Sequence, residues 1–250
     1  MHQTLPGDKI LSIDIGGSFI KATILNTWGE LQIGYQLVDT PVLPGPKKLI
    51  TALKNLVHKF PDYDKLSVGF PGYVKNGIVY SAPSLSPKKW DCVNLKKLLQ
   101  EEFNCPIAVI NDADMQGLGI IRGKGFEMVI TLGTGLGSSL FLNGHLLPHL
   151  ELSQHPAATN TIYDQYIGKK ALEKIGEIEW NKRVQKMLSV FKTVFNYDHL
   201  YIGGGNSSRV KIPLDKNITI VSNEDGIKGG AKLWPAHNSM EIPALEIIKY

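Results

Sequence analysis

Glycine is distributed along this chain in a way that constrains the fold more than any other feature of its sequence. The chain has 25 glycines in 250 residues, and three groups of them, at 16–17, 133–137 and 203–205, follow stretches rich in apolar and β-branched residues. Glycine lets several backbone N–H groups approach one anion closely. Three such loops indicate a phosphate or nucleotide site built from distant segments, although a plain hairpin or helix cap explains any single one equally well.

The order of predicted elements indicates an α/β protein made of two related halves. In the first half, the patterns predict a hairpin at 9–25, strands at 31–38, 65–70, 77–81 and 106–110, a loop at 83–90, and helices at 49–60, 93–103 and 113–122. In the second half they predict strands at 128–132, 138–142, 199–202 and 218–221, and helices at 163–175, 178–195 and 227–233. Strands followed by helices, twice over, are typical of the α/β class.

The two most common nucleotide-binding motifs do not fit the second glycine loop. A P-loop needs a lysine after its last glycine and then a helix, but the segment Gly133–Ser138 has no lysine. A dinucleotide fingerprint has the spacing GxGxxG before a helix, whereas this loop has GxGxG before a predicted strand. We therefore expect a different phosphate-binding fold.

Composition and charge exclude several classes of protein. The formal net charge is only +4 and no dense Lys/Arg block occurs, so we expect no nucleic-acid partner. No apolar run approaches the roughly 18 residues of a membrane span, and no secretory signal is visible at the start. Cys92 and Cys105 fit neither a CxxC metal site nor a disulfide framework, which favours a reducing compartment. We expect a cytoplasmic protein that does not bind membranes.

The first glycine loop is preceded by a carboxylate in an apolar strand. Asp14 stands two residues before Gly16, and a buried aspartate needs a partner. Mg²⁺ bridged to nucleotide phosphates would supply that partner, while a hydrogen-bonded turn residue is the alternative. Lys21, on the outgoing strand, is either a phosphate ligand or a solvated charge.

A second carboxylate follows the predicted strand at 106–110. In open α/β sheets, ligands bind beyond the carboxyl ends of the strands, and Asp112 lies at such an end. It is our candidate for a general base that orients a hydroxyl nucleophile in phosphoryl transfer; a helix N-cap is the alternative. Further on, Glu151 and His155 are candidates for binding sugar hydroxyls, or else ordinary surface residues.

Taken in order, these segments resemble the ROK family of sugar kinases, and most closely its polyphosphate/ATP glucokinase branch. The matching motifs are Asp14–Ser18, Gly69–Gly72, Ala82–Ser84, Trp90, Asn111–Ala113, Leu132–Gly137, Glu151-Leu152, Glu179–Val184 and Gly203–Gly205, within residues 9 to 235. The resemblance implies an actin/hexokinase-like (ribonuclease H-like) two-domain fold with a central cleft. It implies a smaller N-terminal domain at 1–111, a larger one at 112–238, and a helix at 239–250 that packs back on the first.

The resemblance also implies the activity and the site. A phosphoryl group would pass from ATP or polyphosphate, with Mg²⁺, to the 6-hydroxyl of glucose or a similar hexose, with Asp112 as the base. The implied sugar-binding residues are Gly72, Ser84, Asn111, Asp112, Glu151 and His155. The implied nucleotide- or phosphate-binding residues are Asp14 (also the Mg²⁺ residue, directly or through water), Gly16, Gly17, Ser18, Lys21, Gly133, Thr134, Gly135, Gly137, Gly203, Gly204 and Gly205. Family members often form homodimers, and we expect one here.

Several positions depart from the family pattern. The family's Glu-x-Gly-His motif reads Glu151-Leu152-Ser153-Gln154-His155, so that either Gln154 replaces the histidine or a one-residue insertion restores His155. Ser84 replaces an asparagine, Phe19 replaces a small residue, and the cysteines of the family's zinc site are missing, so no structural zinc is expected. These changes keep open a sugar- or nucleotide-binding homologue with impaired catalysis, or a kinase for another small alcohol.

Overall fold

The polypeptide forms two five-stranded mixed sheets and the helices that cover them. The structure is a computed structural model that describes residues 7–222 and 226–234. Its strands are β1 (Ile10–Ile15), β2 (Phe19–Leu25), β3 (Gln36–Asp39), β4 (Lys65–Phe70), β5 (Val74–Lys75), β6 (Ile78–Val79), β7 (Val93–Asn94), β8 (Ile107–Asn111), β9 (Phe126–Leu132), β10 (Leu136–Leu142), β11 (His145–Leu146), β12 (Pro156–Ala158), β13 (Thr161–Ile162), β14 (His199–Gly203) and β15 (Ile218–Ile220). Its α-helices are α1 (Pro46–Val57), α2 (Pro87–Trp90), α3 (Leu95–Phe103), α4 (Asp112–Ile120), α5 (Tyr163–Ile167) and α6 (Lys169–Phe195), with 3-10 helices at Leu152–Gln154, Ser207–Arg209 and Ile227–Leu233.

The two large sheets have the same topology, which confirms the prediction of two related α/β halves. The first sheet has the order β3-β2-β1-β4-β8 and the second the order β11-β10-β9-β14-β15. In each sheet the first three strands are antiparallel, and the last two run parallel to the strand beside them. In each half, a glycine loop joins the two strands of the central hairpin.

Each half has its own apolar core. One cluster gathers side chains of the first sheet with α1 and α3, and the other gathers the second sheet with α5 and α6. A fully buried tryptophan lies in each cluster, and its indole N–H is paired: Trp90 donates to the Pro44 carbonyl at 2.8 Å, and Trp180 donates to the Ile167 carbonyl at 2.7 Å. Pairing the indole lets these large rings be buried without an unsatisfied donor.

The 3-10 helix Ile227–Leu233 packs against the first sheet and α4. The Ser12 hydroxyl donates to the Ile227 carbonyl at 2.9 Å, and the Ser67 hydroxyl donates to the Gly230 carbonyl at 2.7 Å. The domain division that the resemblance implies places this segment and α4 in the second domain, and the segment contacts both α4 and the strands of the first sheet. A boundary near residue 111 remains a proposal, and the predicted helix at 239–250 lies outside the described residues.

The close packing of this 3-10 helix against α4 predicts that an added side chain at Gly229 destabilises the protein. A Cβ atom on Gly229 would lie 1.8 Å from the Met115 carbonyl oxygen, which belongs to the backbone of α4 and cannot move aside alone. We expect Gly229→Ala to lower the free energy of unfolding by about 2 kcal/mol or more in chemical denaturation. Gly34→Ala is the matched control, because a Cβ on Gly34 meets no atom within 4 Å. Equal stability of the two variants would contradict this packing.

Some predicted elements differ from the structure near prolines and glycines. The strand expected at 31–38 is only β3, with Leu31 reduced to an isolated bridge to Leu25. The loop expected at 83–90 contains the short helix α2, which begins at Pro87, where the fixed φ of proline suits a first helical turn. The segment at 227–233 is a 3-10 helix rather than an α-helix.

The long helical region of the second half is interrupted in two places. Gly168 separates α5 from α6, because its extended ψ of 171° is not helical. The predicted interruption at 175–178 corresponds to a kink inside α6 at Gly176, whose φ of 79° is accessible to glycine at little cost. Within the residues that the structure describes, no helix has the length and apolarity needed to cross a membrane.

Candidate active site

A cavity of about 360 Å³ lies where the carboxyl ends of β1, β4 and β8 face the glycine loops of the second half. Sixteen of the eighteen predicted site residues line it: Asp14, Gly16, Gly17, Ser18, Lys21, Gly72, Ser84, Asn111, Asp112, Gly133, Thr134, Gly135, Gly137, Glu151, Gly204 and Gly205. Gly203 is the last residue of β14, directly beside this lining. The fold thus brings together segments that are up to about 190 residues apart in the chain.

Asp112 is the first residue of α4, and it is not the helix cap. Asn111 takes that role: its side-chain oxygen accepts hydrogen bonds from the N–H groups of Ala113 at 2.8 Å and Asp114 at 3.1 Å. The Asn111 amide also donates to the Gly72 carbonyl at 3.0 Å, which fixes the carboxyl ends of β4 and β8 to each other. The Asp112 carboxylate is therefore held at the cavity wall without having to cap the helix.

The electrostatic surroundings of Asp112 favour its protonated form. Burial raises the pKa of Asp112 well above its ordinary value, and the nearby Asp14 carboxylate raises it further. The hydrogen bond from the Ala113 N–H, at 2.9 Å, acts in the opposite direction. A carboxylate with a raised pKa in a cleft is a stronger proton acceptor once it is ionised, which suits a general base.

Asp14 is buried in β1 with one carboxylate oxygen unpaired. It is 7% exposed; its Oδ2 accepts a hydrogen bond from the Gln116 amide at 3.3 Å, while Oδ1 has no partner among the described residues. Burial raises the pKa of Asp14 to about 6 against the opposing influence of Lys21, its cross-strand neighbour. An unpaired, buried carboxylate oxygen at the wall of a cavity fits a Mg²⁺ ion or its bound water.

The first two glycine loops meet across the cavity. The Ser18 hydroxyl lies 3.2 Å from the Thr134 hydroxyl, so a turn of the first half contacts a loop of the second. At Gly135, a Cβ would lie 1.7 Å from the Asp164 carboxylate, which accepts the Leu136 N–H at 2.9 Å. At Gly204, with a φ of 88°, a Cβ would lie 2.4 Å from the backbone of Leu132. Only glycine fits at Gly204, whereas a side chain at Gly135 would displace the Asp164 carboxylate from the Leu136 N–H.

The segment after Glu151 does not bring His155 into the cavity. A 3-10 turn at Leu152–Gln154 carries the chain outward, so the His155 ring is exposed, with Nδ1 2.9 Å from the Pro156 carbonyl oxygen. Glu151 does line the cavity, and its Oε1 accepts the Ser153 hydroxyl at 2.7 Å. The structure thus places Glu151 in the cavity wall and His155 outside it, and sugar binding by either residue stays a prediction.

Other cavity residues are absent from the sequence prediction. His149, Gln116, Ser138, Ser153, Asp164, Lys169 and Asn206 also line the cavity. Asn206 directly follows the third glycine group, and its amide donates to the Gly133 carbonyl at 3.1 Å, so its position in the sequence was a usable signal. Nothing in the sequence placed Lys169 or Asp164 beside the second glycine loop, because only the tertiary fold carries α5 and α6 to it.

Comparison with known proteins agrees with this architecture. The model of the ROK family matches residues 10–148. Polyphosphate glucokinase of Mycobacterium leprae (strain TN) is 31% identical over 246 residues, covering 88% of this chain and 72% of that protein. The crystal structure of an inorganic polyphosphate/ATP-glucomannokinase from Arthrobacter sp. strain KM is 30% identical and superposes with a TM-score of 0.82, covering 90% of this chain and 98% of that one.

A more distant structure supports the fold alone. A ROK family glucokinase from Streptomyces griseus, solved with glucose and AMPPNP, is 18% identical, with a TM-score of 0.74 over 90% of this chain and 98% of that one. These likenesses confirm the predicted actin/hexokinase-like fold. The family match and the identity and coverage of these relatives show that the chain belongs to the ROK family and is one of its sugar kinases, which are phosphotransferases.

Proposed function

We propose that this protein transfers a phosphoryl group from ATP or polyphosphate to the 6-hydroxyl of glucose or a similar hexose. The observation that carries the proposal is the position of Asp112, which lines one cavity together with three glycine-bearing loops and the polar side chains of Ser84, Asn111 and Glu151. A proton acceptor between a set of phosphate-binding loops and a set of hydroxyl-binding groups is what transfer to an alcohol requires.

Asp112 acts as the general base in this proposal. Its ionised carboxylate accepts the proton of the 6-hydroxyl while that oxygen bonds to the terminal phosphorus, and the bond from this phosphorus to the bridging oxygen of the donor breaks. Asn111, Glu151 and Ser84, with the Gly72 backbone, hold the sugar so that one hydroxyl faces Asp112. The orientation supplies much of the acceleration, because the reacting groups meet without further loss of freedom.

The glycine loops and two lysines hold the phosphoryl donor. The backbone of Gly16-Gly17, the loop at 133–137 and Gly204-Gly205 surround one end of the cavity, and Lys21 and Lys169 also line it. Asp14 would hold Mg²⁺, which neutralises charge on the donor phosphates when it is bound. Relatives named for polyphosphate and for ATP support either donor, and a homodimer remains our prediction for the assembly.

A panel assay tests the proposed function. We expect the purified protein to phosphorylate glucose or a close hexose with ATP, polyphosphate or both, detected by a coupled assay for hexose 6-phosphate. A folded protein that forms no sugar phosphate from any hexose of the panel with either donor would refute the kinase proposal. In that case sugar binding measured by calorimetry would support the alternative of a binding homologue, which is motivated by Gln154 in the family's histidine position.

The raised pKa of Asp112 predicts the pH dependence of the reaction. Because the base must be ionised, kcat/KM falls as the pH drops through its pKa, and burial together with Asp14 moves this loss to a higher pH than an ordinary aspartate shows. The acid limb of kcat/KM should therefore lie at a higher pH than the ordinary pKa of an aspartate, about 3.9. An acid limb at or below the ordinary pKa of an aspartate would contradict this account of Asp112.

A further inference from the structure

His149 is a buried histidine of the cavity wall that the proposed mechanism does not use. Its side chain is 5% exposed and is held on one side by the Asp114 carboxylate, both oxygens of which lie 3.1 Å from Nδ1. Its ring stacks on Tyr73 with an interplanar angle of 13° and a centroid distance of 5.9 Å. These contacts fix the direction of the ring, so its second nitrogen, Nε2, points to a defined place.

That second nitrogen faces Glu151 across a gap. Nε2 lies 3.6 Å from Glu151 Oε2, and within the described part of the chain neither buried atom has a hydrogen-bond partner. Both residues line the cavity. Although burial alone would lower the pKa of His149, Asp114 and Glu151 raise it to about 10, so both ring nitrogens carry protons at neutral pH. A charged donor and a charged acceptor thus form an ion pair beside the cavity, at a separation too long for a hydrogen bond.

One hydroxyl group satisfies both atoms. An oxygen about 2.8 Å from each of them would span the 3.6 Å gap, accepting from Nε2 and donating to Oε2. Because each atom exposes less than 1 Å² to solvent, the Glu151 side chain, which is 27% exposed, must turn to admit this oxygen. A hydroxyl is both donor and acceptor, whereas a phosphate oxygen would be repelled by the Glu151 carboxylate. The pair is therefore built for an alcohol and not for the phosphoryl donor.

We propose that His149, together with Glu151, binds one hydroxyl of the sugar, so that the histidine contact comes from two residues before Glu151. Of the positions after Glu151, His155 lies outside the cavity, and Gln154 is exposed, with its amide directed to the Ser153 hydroxyl at 2.9 Å. Gln154 borders, with His149 and Glu151, a neighbouring cavity of about 480 Å³ and not the cavity that Asp112 lines. The inference rests on the proposed function, and it makes His149 a substrate-binding residue and Asp114 a positioning residue that acts through it.

Calorimetry without a donor tests the pair. The hexose that the wild type phosphorylates fastest is compared with its monodeoxy analogues, in the wild type and in His149→Gln. We expect one analogue to bind the wild type about 10- to 100-fold more weakly than the parent sugar, because it leaves buried polar groups unpaired. His149→Gln should bind the parent sugar more weakly than the wild type does, by a similar factor. The variant should also bind the parent sugar and that one analogue with nearly equal affinity.

The controls separate a direct contact from a structural role. His145→Gln, at an exposed histidine of β11, should leave sugar affinity unchanged. A His149→Gln variant that binds the parent sugar as tightly as the wild type would overturn the inference. A variant that weakens the parent and every analogue equally would also overturn it, since a structural defect does not select one hydroxyl.

Two further measurements keep the test decisive. If circular dichroism shows that His149→Gln is unfolded, His149→Asn takes its place in the same comparison. The affinities of the wild type for the monodeoxy analogues also test the inference: it is contradicted if no single hydroxyl deletion weakens binding by more than about threefold. A wild type that neither binds nor phosphorylates any hexose overturns the proposed function as well, whereas an active wild type with an unaltered His149→Gln overturns this inference alone.

Discussion

Replacing Asp112 by asparagine is expected to lower kcat by about 10³-fold or more while leaving hexose affinity within about threefold of the wild type. Asparagine has the shape of aspartate and retains an oxygen for the hydrogen bond from the Ala113 N–H, which is 2.9 Å long in the structure. It cannot accept the proton of the attacking hydroxyl. Steady-state kinetics for turnover and calorimetry for binding measure the two effects separately.

Asp62→Asn is the matched control for this experiment. Asp62 is an exposed aspartate in the loop before β4, at the end of the strand opposite the cavity, so the same chemical change should leave kcat unaltered. If Asp112→Asn retains turnover within about tenfold of the wild type, Asp112 is not the general base. If instead it loses hexose binding entirely, its main role is to hold the sugar.

Asp14→Asn is expected to make the protein more stable and less active at the same time. In the folded, metal-free protein the pKa of Asp14 is raised by burial from 3.8 to about 6. As the pH rises from 4 to 6 the unfolded chain ionises first, so the folded state is progressively disfavoured, by an upper limit of about 3 kcal/mol above pH 6. Asparagine removes this penalty but cannot attract Mg²⁺ or its bound water as a carboxylate does.

Thermal unfolding in EDTA at several pH values measures the first effect, and kinetics at saturating Mg²⁺ measures the second. The variant should unfold at a higher temperature than the wild type at pH 7, with the difference shrinking toward pH 4. Its kcat/KM should fall by about 10²-fold or more, because the donor phosphates lose charge neutralisation. A variant destabilised at pH 7 would show that the charge of Asp14 supports the fold instead of serving a ligand.

The sequence was informative where function depends on local backbone chemistry. Glycines that admit a φ of 88° at Gly204, or a close approach to Asp164 at Gly135, leave a mark that can be read without coordinates. The same holds for Asp14 in an apolar strand and for Asp112 at a strand end, because a carboxylate in such a place needs a reason. All four residues line the cavity.

The sequence was less informative where a side chain depends on the path of the chain. His155 matched the expected motif apart from one extra residue, yet the 3-10 turn at Leu152–Gln154 carries it outside. His149 matched nothing, and only the fold brings Asp114, 35 residues earlier, against its ring. Sequence periodicity also does not show which residues pair with a neighbouring strand. The pattern therefore predicts a strand from Leu31, whereas the strand in the structure begins at Gln36.

The most direct measurement of the central claim is the fate of the phosphoryl group in a single reaction mixture. The protein, Mg²⁺, the preferred hexose and either ATP or polyphosphate are followed by ³¹P NMR, with Asp112→Asn alongside. The wild type should produce a hexose 6-phosphate resonance at the expense of the donor, the 6-deoxy sugar should yield no sugar phosphate, and the variant should show almost no transfer. A phosphorylated 6-deoxy sugar, release of inorganic phosphate alone, or equal transfer by Asp112→Asn would contradict the claim.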